Sequence, residues 1–278
     1  MAVPTTHRQF GSKVRVAAQL LALVPADVRV WVEGFAGTAA MTLAKAPHPA
    51  EHINDFNRDV VGLYSVLRDD AQRERLCRLL SLTPYAEAEF RACLEALYGG
   101  AAPVDDPVER ARQWLVCSWQ AIGGKQLLKA SWRLDLCRSW LIPVWQSVPA
   151  RLQEVAVRLR GAHIHCKHIL ELVDLFADKP EVLLFLDPPY PRHTLATHET
   201  LYAVDMSDDE HRALAERLRT VRCRVLLTMG LDTVYQRVLA DWHVVPFSVR
   251  GMRNAVKTEA ALLNYTPPAR TLFCEAAE

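Results

Sequence analysis

No apolar run in this sequence reaches the roughly 18 residues that a membrane helix needs, so no segment reads as a transmembrane span. Glycine is scarce, 11 residues in 278, which excludes a collagen-like repeat. The seven cysteines (Cys77, Cys93, Cys117, Cys137, Cys166, Cys223 and Cys274) contain no CxxC pair, and their number is odd. That argues against a zinc cluster, and reduced cytosolic thiols are expected. The opening MAVPTTHRQFGSK lacks a long apolar core, so no secretory signal is expected and a cytoplasmic location is. A GxGxxG run and a P-loop lysine pattern are both missing. So is an excess of charge: 33 Lys and Arg stand against 32 Asp and Glu. The near-zero net charge argues neither for nor against nucleic acid, because only a local patch is needed.

What is present is an ordinary globular composition, half apolar, long enough for one core domain with a sizeable insertion. VRVAAQLLALVP reads as a helix covering a sheet. RVWVEGFAGTAAMTLAKA reads as a short strand, a glycine turn and a helix from about Ala39. HINDFNRDVVGLYSVLRDD follows as a strand, a polar turn and a helix. Strand, turn, helix and strand with an acidic tip are an α/β signature. From about residue 72 to 160 the chain is rich in Leu, Ala and Arg, helical in period and without a good strand. Between Arg110 and Arg138 six basic residues face one acid, and five of the seven tryptophans lie in the wider segment. Those tryptophans read either as core at helical spacing or as a nucleic-acid surface. Beyond it EVLLFLDPPY is a continuous apolar run, as in a buried parallel strand. MSDDEHRALAERLRTV reads as a helix with Ser207 as N-cap and Glu210 at the capping-box position. RVLLTMG, HVVPFSV and AALLNY are further strand candidates.

Four places can carry chemistry. In VEGFAGTAA, Glu33 ends a strand, and Gly34 and Gly37 permit a tight turn where a ligand can approach the backbone; a purely structural glycine loop reads the same way. Asp55, at the tip of the next strand, suits the two hydroxyls of a ribose, with a helix cap as the plainer alternative. In LFLDPPY, Asp187 leaves a strand into the crevice where open sheets place ligands. Pro188 and Pro189 stiffen the backbone and remove its donors, and Tyr190 offers a face to a flat ring. A carboxylate, a fixed carbonyl and an aromatic face suit an exocyclic amine. Lys13, in QFGSK, can reach an anion or lie on the surface. His163, His165 and His168 have no accompanying acid set, and metal binding is not expected. Arg250, Arg253 and Lys257 occupy a glycine-containing loop and either touch DNA or are solvated.

Together QFGSK, VEGFAGTAA, INDFNRDVVGLYSVLRD, LDPPY, YAVDMSDDEHRALAERLRTV and VKTEAALLNY resemble the D12 class of DNA adenine-N6 methyltransferases, the Dam-like family, and the tail resembles its phage-type branch. The resemblance covers both ends of the chain well and the middle poorly. Family members read close to EPFAGSG where this chain has Gly34 and Ala39. The resemblance implies a Rossmann-like S-adenosylmethionine-dependent methyltransferase sheet with a helical insertion. It divides the chain into 1–71 (cofactor loop), 72–160 (helical insertion, target recognition) and 161–278 (DPPY motif). Phe35, Ala36 and Gly37, flanked by Glu33 and Gly34, would wrap S-adenosylmethionine, and Asp55 would hold its ribose. His168 would stand where the family has an acid against the cofactor adenine, and Lys13 near the methionine end or the mouth of the site. Asp187 and the Pro188 carbonyl, stiffened by Pro189, would hold the adenine amine, with Tyr190 stacked on a flipped base. Lys125, Lys129, Arg133, Arg253 and Lys257 would contact DNA, double-stranded or, alternatively, single-stranded. A restriction endonuclease is an allowed companion in a restriction-modification pair. An RNA base or a protein amide as methyl acceptor, and a catalytically impaired DNA-binding homologue, remain the alternatives.

Overall fold

The computed structural model describes residues 5–9, 11–100, 102, 104–124, 127–134, 140–191, 205–231, 233–250 and 256–268. In chain order the elements are α1 (Ala17–Leu21), β1 (Val30–Glu33), α2 (Ala40–Ala44), β2 (Ala50–Asn54), α3 (Arg58–Arg68), α4 (Asp70–Leu82), α5 (Glu87–Tyr98), α6 (Pro107–Gln120), α7 (Leu141–Gln146) and α8 (Val148–Leu159). There follow β3 (Ala162–His165), α9 (Ile169–Phe176), β4 (Val182–Leu186), α10 (Asp208–Leu218), β5 (Arg224–Gly230), α11 (Val234–Val238), β6 (His243–Arg250) and β7 (Val256–Leu263). They form two compact units. Among the described residues one comprises 5–12 and 57–161, and the other 13–56, 162–191 and 205–268.

The second unit is an α/β domain with a mixed sheet and flanking helices, consistent with a Rossmann-like methyltransferase fold. Its seven strands run in the order β3-β2-β1-β4-β5-β7-β6. The β3-β2-β1-β4-β5 part is parallel, in the order of a doubly wound sheet. The sheet then closes on β7 and β6, each antiparallel to its neighbour, where the doubly wound order would add a sixth parallel strand. β4 is buried along its whole length, as expected of a continuous apolar run with helices on both faces. Order reverses between β1 and β4. Glu33 pairs with Phe185 there, so the loop after Glu33 and the segment after Leu186 leave the sheet at the same edge. That edge is where open α/β sheets hold ligands. Ser207 and Glu210 form the expected capping box at the start of α10.

The first unit is helical among its described residues, apart from an isolated bridge between Ala121 and Trp132. Local signals set its helices: Asn57, Asp69 and Asp106 each accept from a backbone N–H in the first turn of α3, α4 and α6, and Pro107 opens α6. Its core holds Leu76, Leu80, Phe90, Trp114, Leu115, Val148 and Leu152. Two further tryptophans are buried with their indole N–H satisfied: Trp119 donates to the Thr6 carbonyl (3.1 Å) and Trp145 to that of Thr83 (2.8 Å). Most of the tryptophan set is therefore core, and Trp140, at 43% exposure, is not.

Candidate functional site

Two loops meet the open edge of the sheet unit beside β1. Backbone conformation explains the small residues of the first: Gly37 has φ 46° and Ala39 φ 52°, both left-handed. At Gly34 a β-carbon would lie 2.5 Å from Leu186 Cδ2, so that glycine is fixed by packing against β4. The loop is tied to β2. Ala36 N donates to the Asn54 carbonyl (2.8 Å), and Gly37 N donates to Asp55 Oδ2 (2.7 Å). Buried Asn54 donates to the carbonyls of Gly34 (3.0 Å) and Lys167 (3.1 Å) and accepts from Lys167 N (2.8 Å). It thus binds the glycine loop to the loop after β3.

Glu33 is buried, and its carboxylate faces the start of α2. It accepts from Met41 N (3.3 Å), Thr42 N (2.8 Å) and the Thr42 hydroxyl. This side chain is the cap that Ala39 cannot provide. Burial pushes its carboxyl up to about 7 against those donors.

At the end of β4 the strand delivers Asp187 into a buried polar cluster. Asp187 Oδ1 accepts from Lys13 Nζ (2.8 Å) and Thr228 Oγ1 (2.7 Å). Lys13 Nζ also lies 3.6 Å from Glu259 Oε2. The Tyr190 hydroxyl donates to Glu259 Oε1, and the Lys257 ammonium sits 4.5 Å from the centre of the Tyr190 ring. Burial pulls the Lys13 ammonium down, but Asp187 and Glu259 outweigh it and hold the group above the ordinary lysine value. Burial pushes the Asp187 carboxyl above the usual carboxylate range, while Lys13 and Thr228 restrain the rise.

The sheet unit thus brings Lys13, Asp187, Tyr190 and Lys257 together, and Phe35 to Gly37 together with Asp55. His168 caps α9, its Nδ1 accepting from Leu170 N at 3.4 Å, with Nε2 3.5 Å from Glu210 and its ring edge-on to Phe56. His163 and His165 instead stack with His52, at 4.6 and 5.2 Å. Burial and these neighbours hold His52 down to about 4. Among the described residues no group of three or more His, Cys, Asp or Glu can hold a metal ion, and no helix is long and apolar enough to cross a membrane. Lys129 and Arg133 belong to the helical unit, while Lys125 and Arg253 lie outside the described residues.

Thr228, Glu259 and Asn54 complete these clusters and escaped the sequence reading. Each left a signal. Thr228 is the hydroxyl inside the apolar strand RVLLTMG, Glu259 is an acid opening the apolar run EAALL, and Asn54 is the amide beside Asp55.

Residues 10–89 match the family described as D12 class N6 adenine-specific DNA methyltransferase. No curated protein matches the chain. The matched stretch is similar to a methyltransferase domain and contains QFGSK (from Phe10 on), VEGFAGTAA and INDFNRDVVGLYSVLRD; LDPPY and VKTEAALLNY lie beyond it.

Proposed function

We propose that the chain is an S-adenosylmethionine-dependent DNA adenine-N6 methyltransferase whose reacting crevice lies between the Phe35–Gly37 loop and Asp187. What carries the reading is the Lys13–Asp187 pair at the open end of β4, beside the sheet's switch point. The family match over residues 10–89 agrees with it.

The residues fit this cofactor. Asp55 stands at the β2 tip, where an acid can take ribose hydroxyls, and its Oδ2 is oriented by Gly37 N. The start of α2, where a dinucleotide site would seat a pyrophosphate, is filled by the chain's own Glu33 carboxylate. A nucleoside cofactor without phosphates suits that arrangement. The cofactor supplies a methyl group on a sulfonium sulfur, which is already a good leaving group.

The harder task is to make the adenine amine a nucleophile, because its lone pair is delocalised into the ring. Asp187 Oδ2 and the Pro188 carbonyl accept its two N–H bonds, which favours a pyramidal nitrogen. Oδ1 is already engaged by Lys13 and Thr228, so the carboxylate is fixed before substrate arrives. Lys13 opposes the effect of burial on the Asp187 carboxyl. Tyr190, buttoned to Glu259, gives the flipped base a rigid face. Basic residues of the helical unit, Lys129 and Arg133 among them, hold backbone phosphates and supply the salt-dependent part of affinity.

A labelled-methyl assay on DNA, RNA and protein in parallel tests the reading. N6-methyladenine in DNA is the expected product. Methyl transfer only to RNA or protein contradicts the acceptor, and absence of cofactor binding contradicts the activity.

A further inference from the structure

In the helical unit several arginines are matched by acids. Arg73 rests on Asp70, Arg75 on Asp106, Arg110 on Asp59, and Arg112 on Glu89 and Glu109. Arg8 and Arg133 are placed otherwise. Both guanidinium groups lie over the exposed ring of Trp140, 5.9 and 4.5 Å from its centre. Neither is paired with a carboxylate among the described residues.

Their backbones are firmly held. Arg8 N donates to Ser118 Oγ (2.9 Å), and the same hydroxyl donates to the Arg8 carbonyl (2.7 Å). A β-carbon at Gly124 would come within 2.8 Å of the Arg8 carbonyl oxygen, so the N-terminal segment needs a glycine under it. Arg133 N donates to the Gln120 carbonyl (2.8 Å), and its own carbonyl accepts from the Tyr85 hydroxyl (2.8 Å). Burial first and then the field of Arg133 push the Arg8 guanidinium down to about 10.

Two like charges gathered at one tryptophan, on anchored backbone and with no carboxylate partner among the described residues, lack an anion. A guanidinium matches the oxygens of a phosphate in a planar, bidentate manner. An exposed indole between two such groups adds a stacking platform for a base or sugar.

We propose that Arg8, Arg133 and Trp140 form a phosphodiester-binding site that grips the backbone of a DNA strand. The site rests on the reading of DNA as the partner, but not on methyl transfer. It gives the N-terminal segment a part in nucleic-acid binding that its sequence does not advertise.

The test is fluorescence anisotropy of a labelled duplex across a salt series, with wild type, R8Q, R133Q and W140L. S-adenosylmethionine affinity is measured alongside by calorimetry, and folding by thermal melting. Each arginine variant should bind more weakly and lower the slope of log K against log salt by about one, equally on unrelated duplex sequences. W140L keeps both charges and should leave that slope unchanged while weakening affinity several-fold. Cofactor affinity should match wild type in all three. Loss of cofactor binding in the wild type would strike the methyltransferase reading and leave this site standing. Wild-type affinity and slope in folded R8Q and R133Q would overturn the site. Displacement of the duplex by micromolar inorganic phosphate would make it a free-anion site and overturn the strand assignment.

Discussion

Two clusters, one in each unit, hold charge in opposite ways. In the sheet unit Lys13 is enclosed by Asp187 and Glu259, and Lys45 by Glu51, so each cation has a carboxylate supplied by the chain. In the helical unit Arg8 and Arg133 share a tryptophan and, among the described residues, no acid. The first arrangement is complete by itself and suits a site that must be set before the substrate arrives. The second awaits an outside negative charge. On the proposed function, the difference separates a site for chemistry from a site for grip, although the net charge of the whole chain is only +1.

The sharpest way to break this contrast is to remove the cation of the enclosed cluster. K13Q leaves Asp187 with burial and without its main compensating charge, and methyl transfer should fall about a hundredfold or more. If transfer uses ionised Asp187 as proposed, the rate declines as pH falls through the Asp187 pKa, which burial holds above the usual carboxylate range. Lys13 is what restrains that rise, so in K13Q the acid limb of the pH-rate profile should move to higher pH. An unmoved limb would detach Lys13 from Asp187.

The helical unit provides its own pH test. His7 is fully buried against Trp114, and burial lowers its pKa from 6.5 to about 4. The unfolded chain takes up the proton that the folded chain refuses. His7 therefore has no effect above pH 6.5, and stability is lost progressively as pH falls toward 4, by about 3 kcal/mol. In urea melts across that range wild type should lose stability relative to H7Q as pH falls; a constant difference between the two would contradict the buried neutral imidazole.

E259Q sharpens the comparison on a smaller scale. The amide still accepts from Tyr190 but no longer offers a charge to Lys13. About a tenfold loss in kcat, with cofactor affinity unchanged, is expected from the looser cluster, measured in single-turnover methylation. T228V, which removes one neutral donor to Asp187, should cost only several-fold in the same assay.

Much of this was legible in the sequence wherever a local rule decided the outcome. The continuous run of β4 announced a buried strand, and Ser207 with Glu210 announced the start of α10. β3 was harder to see because it is an edge strand of four residues, two of them histidines. The antiparallel close of the sheet has no local signature either, since strand direction is set by chain connection. At the site, Asp187 and Asp55 could be named from their positions at strand ends. The pairing could not: Lys13 was a candidate on its own, but it meets Asp187 and Glu259 across most of the chain length. Arg8 meets Arg133 in the same long-range way, and only folding reveals that two ordinary arginines share one tryptophan with no acid beside them among the described residues.

The most direct test of the central claim is D187A, scored for labelled methyl incorporated into DNA and, in the same preparation, for S-adenosylmethionine affinity. The expected result is methyl transfer reduced to background with cofactor binding retained. Wild-type turnover by a folded D187A protein would contradict the assignment of the crevice at the end of β4.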